Sequence, residues 1–375
     1  MNHFEYGPQG LACEGVPLAK IAAEVGTPVY VYSRATLERH FVVFRDALTM
    51  SGVVDPLIAY AVKANSNVAV LKVLGDLGAG ADTVSEGEVR RALAAGIPGE
   101  RIVFSGVGKA RREIAFALQA GVAEINVESE PELNLIADVA AAMAFNNASG
   151  IGNTEGFRKA WEAQGAMRAA FTKMRGLVEQ LLGEGLSVER LDLGGGLGVP
   201  YFNHPEPPSP AEFAAMVGEV TQGLPVTLAF EPGRVIAANA GVLVSEVIHV
   251  HERPEGRKFL VIDAAMNDLV RPAMYDAFHD IRAVTQRAGE TVYDVVGPVC
   301  ETGDTFTRDR ALPPFAAGDL VAFMSAGAYG AAMASEYNTR PLVPEVLVDG
   351  DRYAVIRKRP TYDEMLARDL VPDWV

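Results

Sequence analysis

The chain has 375 residues, 49% of them apolar and 22% charged, which is globular and long enough for one large domain and a smaller companion. Its net charge of −15 argues against nucleic-acid and anionic-membrane partners, since both need a basic surface, and leaves any anionic ligand to local arginines. With no secretory leader pattern and no apolar run of bilayer length, the expectation is a cytoplasmic protein without a membrane partner.

After turn punctuation at Gly7-Pro8 and Thr27-Pro28, residues 29–32 read as a strand, and Ser33 is a candidate N-cap for a helix over 34–48. A βα rhythm follows. Strands are predicted at 57–62, 81–84, 102–104 and 124–127, and helices at 68–77, 86–95, 111–120 and 131–143. This spacing favours a parallel sheet or a (β/α)8 barrel, whose strand carboxyl ends form the active-site face. Lys63, Asp82, Ser85, Ser105, Glu128 and Ser129 collect at those ends. Residues 145–153 read as a polar loop and 154–182 as helix-compatible, and the next strands come only at 190–193 and 226–230. Six barrel strands are therefore expected where closure asks for eight. Beyond residue 239, runs at 242–250, 258–262, 291–296, 320–323 and 353–357 lack long intervening helices and predict a mainly antiparallel β domain. The expected domains are 34–240, and 1–33 with 241–375.

Tyr60-Ala61-Val62-Lys63-Ala64-Asn65 ends an apolar run on a lysine. A buried ammonium is costly unless paired or reactive, so Lys63 either snorkels to water or forms a Schiff base with an aldehyde cofactor such as pyridoxal phosphate. Asp192-Leu193-Gly194-Gly195-Gly196-Leu197-Gly198 places glycines after a strand, where backbone amides reach an anion or simply make a tight turn. Glu231-Pro232-Gly233-Arg234 ends the next strand. It offers a second anion site and an acid for a pyridine nitrogen, or else a surface ion pair. Farther on, Arg271 and Tyr275 share one loop-like segment, and Gly327-Ala328-Tyr329-Gly330 makes another. Cys300 and Glu301 lie in a Gly- and Pro-punctuated stretch, where the thiol is either a proton donor or a buried structural group. Cys13 and Cys300 give no disulfide framework, and the six histidines show no metal-ligand spacing. His249 and His251 alternate as on a surface strand.

Taken together, Ala59–Asn67, Asp82–Ser85 with Glu88, Phe104–Gly106, Glu128–Leu133, Leu191–Gly198, Glu231–Arg234, Asp263–Tyr275, Gly297–Asp304 and Gly327–Asn338 resemble the pyridoxal-phosphate-dependent decarboxylases of alanine-racemase-like fold, in particular those acting on diaminopimelate. The resemblance implies a pyridoxal-phosphate-binding barrel with a β domain, and decarboxylation of meso-2,6-diaminopimelate to L-lysine. It implies Lys63 bonded to the cofactor, Glu231 at the pyridine nitrogen, and Gly195, Gly196, Gly233, Arg234 and Tyr329 around the phosphate. Arg234, Arg271, Tyr275, Glu301 and Tyr329 would contact the substrate, and Cys300 would donate a proton across a homodimer interface. The family's Arg-Val-Asn-Pro, Lys-Phe-Gly and His-Ile-Gly-Ser motifs do not occur between Glu132 and Leu191. About two βα units are thus expected to be lacking relative to the eight of the usual barrel. With them would go the ring-stacking histidine, so the alternatives are an inactive scaffold that still binds the cofactor, a decarboxylase of another basic amino acid, or a racemase.

Overall fold

A computed structural model describes residues 2–143, 164–200 and 206–375; the loop expected at 145–153 and the first part of the helical run, 154–163, lie outside the described residues. The chain divides into two compact units, one holding residues 37–200 and 205–236, the other residues 1–36 and 237–375.

The first unit is a six-stranded parallel sheet. Its strands are β1 (Leu57–Ala61), β2 (Gly80–Thr83), β3 (Ile102–Phe104), β4 (Glu124–Ile125), β5 (Arg190–Asp192) and β6 (Thr227–Phe230). Their spatial order is β4-β3-β2-β1-β6-β5. The last strand in sequence therefore pairs with the first, Ala229 opposite Leu57, which is the closing arrangement of a barrel. On the opposite side, among the described residues, β4 and β5 share no backbone pairing. β4 and β5 are the edges of a half-barrel, as the six-strand count from sequence anticipates.

Helices α1 (Arg34–Met50), α2 (Val68–Asp76), α3 (Glu86–Ala94), α4 (Arg111–Gln119), α5 (Glu130–Ala142), α6 (Gln164–Gly183) and α7 (Pro210–Thr221) accompany the strands. Side-chain caps set several helix starts. Ser85 accepts from Glu88 N, Ser129 from Glu132 N, and Ser209 makes a full capping box with Glu212. Every residue of β1 is buried, as expected of a parallel strand covered on both faces. Outside β6, Phe44 of α1, Phe171 of α6 and Phe213 of α7 meet Phe230 in a chain of ring contacts 5.9–6.2 Å apart. These edge-on and offset packings fix the helices to the strand that carries Glu231.

The second unit holds a nine-stranded sheet. Its main path runs Thr305–Leu312, Thr291–Val296, Lys258–Ile262, Gly241–Glu252, Val29–Ser33, Glu345–Asp349, Arg352–Arg357. Leu320–Phe323 pairs with Gly241–Glu252 and with Ile281–Ala283. Six pairings in this sheet are antiparallel, while Lys258–Ile262 with Thr291–Val296 and Val29–Ser33 with Glu345–Asp349 are parallel, so the sheet is mixed. Its core gathers Leu11, Leu18, Ile21, Val31, Val244 and Val346, all essentially inaccessible. His249 and His251 are exposed on the long strand, as their alternation suggests. No helix among the described residues is long and apolar enough to cross a membrane.

Candidate active site

Lys63 sits in a single 3-10 turn, Val62–Ala64, directly after β1. The register of the sheet places Asp82, in β2, opposite Ala61. Lys63 Nζ donates to Asp82 Oδ2 at 2.8 Å; the aspartate is fully buried and the lysine side chain is 44% exposed. The lysine is thus paired, and it is not fully desolvated. Its ammonium is neutralised by a buried carboxylate and remains accessible to a small molecule.

On the other side of β1, the Ala61 amide donates to the Pro232 carbonyl at 3.1 Å, and the Glu231 amide donates to the Gly194 carbonyl at 2.8 Å. These two bonds seat the lysine turn, the Glu231–Arg234 segment and the glycine run side by side on three neighbouring strand ends. The glycines are required there. Gly194 (φ +69°) and Gly196 (φ +120°) occupy backbone conformations that L side chains rarely adopt. A Cβ on Gly195 would stand 2.2 Å from the Glu231 carbonyl oxygen. The run is therefore a packed turn whose bare backbone is open to an anion, which joins the two readings its sequence allows. Gly233 is buried beside it, and Arg234 opens the short helix Arg234–Ala237.

The electrostatics of these strand ends are acidic. Burial first, then Asp82 and Asp192, push the Glu231 carboxyl well above its ordinary range, while Lys63 and a hydrogen bond from Ser105 pull it back. Burial, followed by Glu124, raises Asp192 to about 7. Among the described residues, Asp82 Oδ1 and Asp192 Oδ2 are buried without hydrogen-bond partners. An accessible primary amine, exposed backbone at a glycine turn and a buried carboxylate on one strand row fit a ligand with an aldehyde, an anionic tail and a basic ring nitrogen.

The remaining predicted residues lie in the second unit. Arg271–Tyr275 forms a short helix, where a loop was expected; Arg271 is buried and Tyr275 is 61% exposed. Cys300 is exposed, which removes the buried structural reading of its thiol. Its loop is shaped by Asp304, whose carboxylate accepts from Val299 N at 2.6 Å and from Met266 N at 2.7 Å. Asp304 thereby ties the Cys300 loop to the segment that leads into Arg271. A side chain at Gly297 would collide with that same carboxylate, at 2.5 Å. Glu301 accepts from Tyr337 Oη at 2.7 Å. Tyr329 is half-buried and has φ +57°, in the left-handed region.

Comparison with known proteins gives these features a context. A family model described as pyridoxal-dependent decarboxylase, C-terminal sheet domain, matches residues 29–327. The chain belongs to the pyridoxal-dependent decarboxylases. It is 43% identical to a diaminopimelate decarboxylase of Zymomonas mobilis, over 97% of this chain and 98% of that protein. It is 42% identical to one of Pseudomonas aeruginosa, over 98% of each. A crystal structure of the Helicobacter pylori diaminopimelate decarboxylase complexed with L-lysine superposes with a TM-score of 0.86 at 34% identity, covering 94% of this chain and 98% of that one. Pyridoxal phosphate is the cofactor of this decarboxylase family. The alignment with the Zymomonas protein runs over 412 positions, more than the 375 residues present here. Part of the relative thus has no counterpart, in agreement with six parallel strands among the described residues where the usual barrel has eight.

Four polar groups gathered at these strand ends were not singled out from the sequence as binding residues: Asp82, Ser105, Asn126 and Asp192. All four lie within or directly after predicted strands, and the general signal was a polar residue interrupting or closing an otherwise apolar run. Among the described residues no histidine stands directly after any of the six strands.

Proposed function

We propose that this chain removes carbon dioxide from meso-2,6-diaminopimelate to give L-lysine, with pyridoxal phosphate attached at Lys63. One observation carries the reading: Lys63, Glu231 and the Gly194–Gly196 turn are held on three adjacent strand ends by backbone hydrogen bonds. The choice of substrate is supported by relatives named diaminopimelate decarboxylase along nearly their whole length, one of them complexed with lysine.

When bound, the cofactor supplies the electron sink for the cleaved Cα–carboxylate bond. Asp82 would hold the Lys63 amine in place for the cofactor's aldehyde. Glu231 keeps a negative charge at the position of the ring nitrogen. Gly195, Gly196 and Gly233 offer backbone amides to the phosphate, Arg234 a permanently charged fork, and Tyr329 lies beside it. Arg234, Arg271, Tyr275, Glu301 and Tyr329 orient the substrate, the arginines suiting a carboxylate and Glu301 an ammonium. The exposed Cys300 thiol returns a proton to Cα. The working form is a cytoplasmic homodimer in which each Cys300 loop completes the site of the other copy.

Purified protein loaded with pyridoxal phosphate is expected to absorb in the visible range, to lose that band in Lys63→Ala, and to release carbon dioxide from meso-diaminopimelate. In Cys300→Ala, turnover should fall by about 100-fold or more with cofactor affinity unchanged. A coloured protein that releases no carbon dioxide from this substrate would overturn the assignment.

A further inference from the structure

Glu231 is held from behind by a directional pair of side chains. Ser105 Oγ lies 3.1 Å from Glu231 Oε1, and Asn126 Nδ2 lies 3.0 Å from Ser105 Oγ. Asn126 is 1% exposed, and its Oδ1 is buried with no hydrogen-bond partner among the described residues. An amide NH2 only donates, so Asn126 occupies a lone pair of Ser105 and leaves the single hydroxyl proton free to point at the carboxylate. Turning the amide over would give Oδ1 a donor, but would draw the hydroxyl proton away from Glu231. The orphaned Oδ1 is the cost of the orientation that serves Glu231.

The strand ends beneath this pair are clasped independently. Lys109, with a fully buried side chain, ion-pairs with Glu132 at 3.2 Å and donates to the carbonyls of Gly106 and Asn126. Gly106 follows Ser105, so one buried ammonium fixes the backbone on both sides of the Ser105–Asn126 contact. The groups facing Glu231 are Asp82 of β2, Asp192 of β5, Lys63 after β1 and Ser105 after β3. Two of these are carboxylates that disfavour its charge. Lys63 is committed to Asp82, and on the proposed function its amine is further bonded to the cofactor.

We infer that Asn126 and Ser105 form a positioning relay whose task is to keep Glu231 ionised and aimed at the ring nitrogen of the cofactor. The placement of that ring rests on the proposed function; the relay itself does not. Without the hydroxyl proton, the carboxylate becomes the better base and takes the proton that the ring nitrogen must keep to accept electrons.

Two measurements separate the parts. In cofactor-free protein with 13C-labelled glutamate, the Glu231 carboxyl signal, assigned by its loss in Glu231→Gln, is titrated. Ser105→Ala should move its midpoint upward by about one unit or more, the effect of one hydrogen bond to a charged group. Asn126→Ala should move it in the same direction by less, and Ser105→Thr, which keeps a hydroxyl, should leave it near wild type. An unchanged midpoint in both Ser105→Ala and Asn126→Ala overturns the relay. In holoenzyme carrying 15N-labelled cofactor, Glu231→Gln and Ser105→Ala should both shift the ring-nitrogen signal toward neutral pyridine. If Ser105→Ala shifts the Glu231 titration while the ring signal ignores Glu231→Gln, the placement of Glu231 against the ring is overturned, and with it the purpose inferred for the relay.

Discussion

Arg190 Nη1 lies 3.5 Å from Glu124 Oε2, although their strands, β5 and β4, share no backbone hydrogen bond and form the two edges of the parallel sheet. Glu124 is 5% exposed, and its carboxyl is raised by burial and lowered again by Arg190. This side-chain bridge spans the sector in which a complete barrel carries further strands. Removing the cation leaves a buried charge unpaired, which costs far more than a surface ion pair contributes. Arg190→Ala should therefore lower the stability by about 2 kcal/mol. Glu124→Gln, which leaves the cation partly solvated, should cost under about 1 kcal/mol. Urea unfolding of the two variants and their double mutant tests this, and equal losses in both single variants would show that the bridge does not join the edges.

Asp192 gives the cofactor-free protein a distinctive pH dependence. In the folded chain its carboxyl holds a proton up to about pH 7, and in the unfolded chain only to about pH 4. Between those limits the folded state binds more protons, so its stability is fully present at low pH and declines as pH rises through about 7. The raised carboxyls of Glu124 and Glu231 act in the same direction. Asp192→Asn should remove its share of the loss, making the variant more stable than wild type at pH 8 by up to about 3 kcal/mol. The two proteins should be nearly alike at pH 4.5. Denaturant midpoints measured at both pH values decide it, and a variant less stable than wild type at pH 8 would refute the assignment.

Gly195→Ala tests the glycine turn as packing and as binding surface together. Its new Cβ meets a backbone oxygen rather than a flexible side chain, so β5 and β6 must separate at their carboxyl ends. The expected result is a loss of about 1–3 kcal/mol of stability and at least a roughly tenfold weaker hold on pyridoxal phosphate, about 1.4 kcal/mol in binding. A variant that folds and binds the cofactor like wild type would mean that the turn is not part of the phosphate site.

Local signals in this chain are strong where the fold is built from buried parallel strands. The runs at 57–62, 81–84, 102–104 and 124–127 match β1 to β4 within two residues at each end, because such strands are short apolar stretches between amphipathic helices, two of which start on a capping serine. Thr305–Leu312 is missed, since Arg308, Asp309 and Arg310 interrupt any apolar alternation and Asp309 has φ +49°. Glu345–Asp349 is missed as well; it lies between Val29–Ser33 and Arg352–Arg357, and its pairing with Val29–Ser33 is far from local.

Residue types at strand ends were enough to nominate Lys63, the Gly194–Gly196 run and Glu231, because desolvation makes a polar group at the end of an apolar run costly unless it has a task and glycines there leave the backbone bare. Which of these groups would meet was decided by the tertiary structure alone. Closing β1 against β6 brings Lys63 beside a glutamate 168 positions later in the chain. The same strand order sets Asp82 on the lysine, Ser105 on Glu231, Asn126 on Ser105, and Arg190 on Glu124. Lys63 with Asp82 and Asn126 with Ser105 meet from neighbouring strands, while Ser105 with Glu231 and Arg190 with Glu124 meet from strands that stand apart in the order, and the periodicity of a single segment carries neither relation.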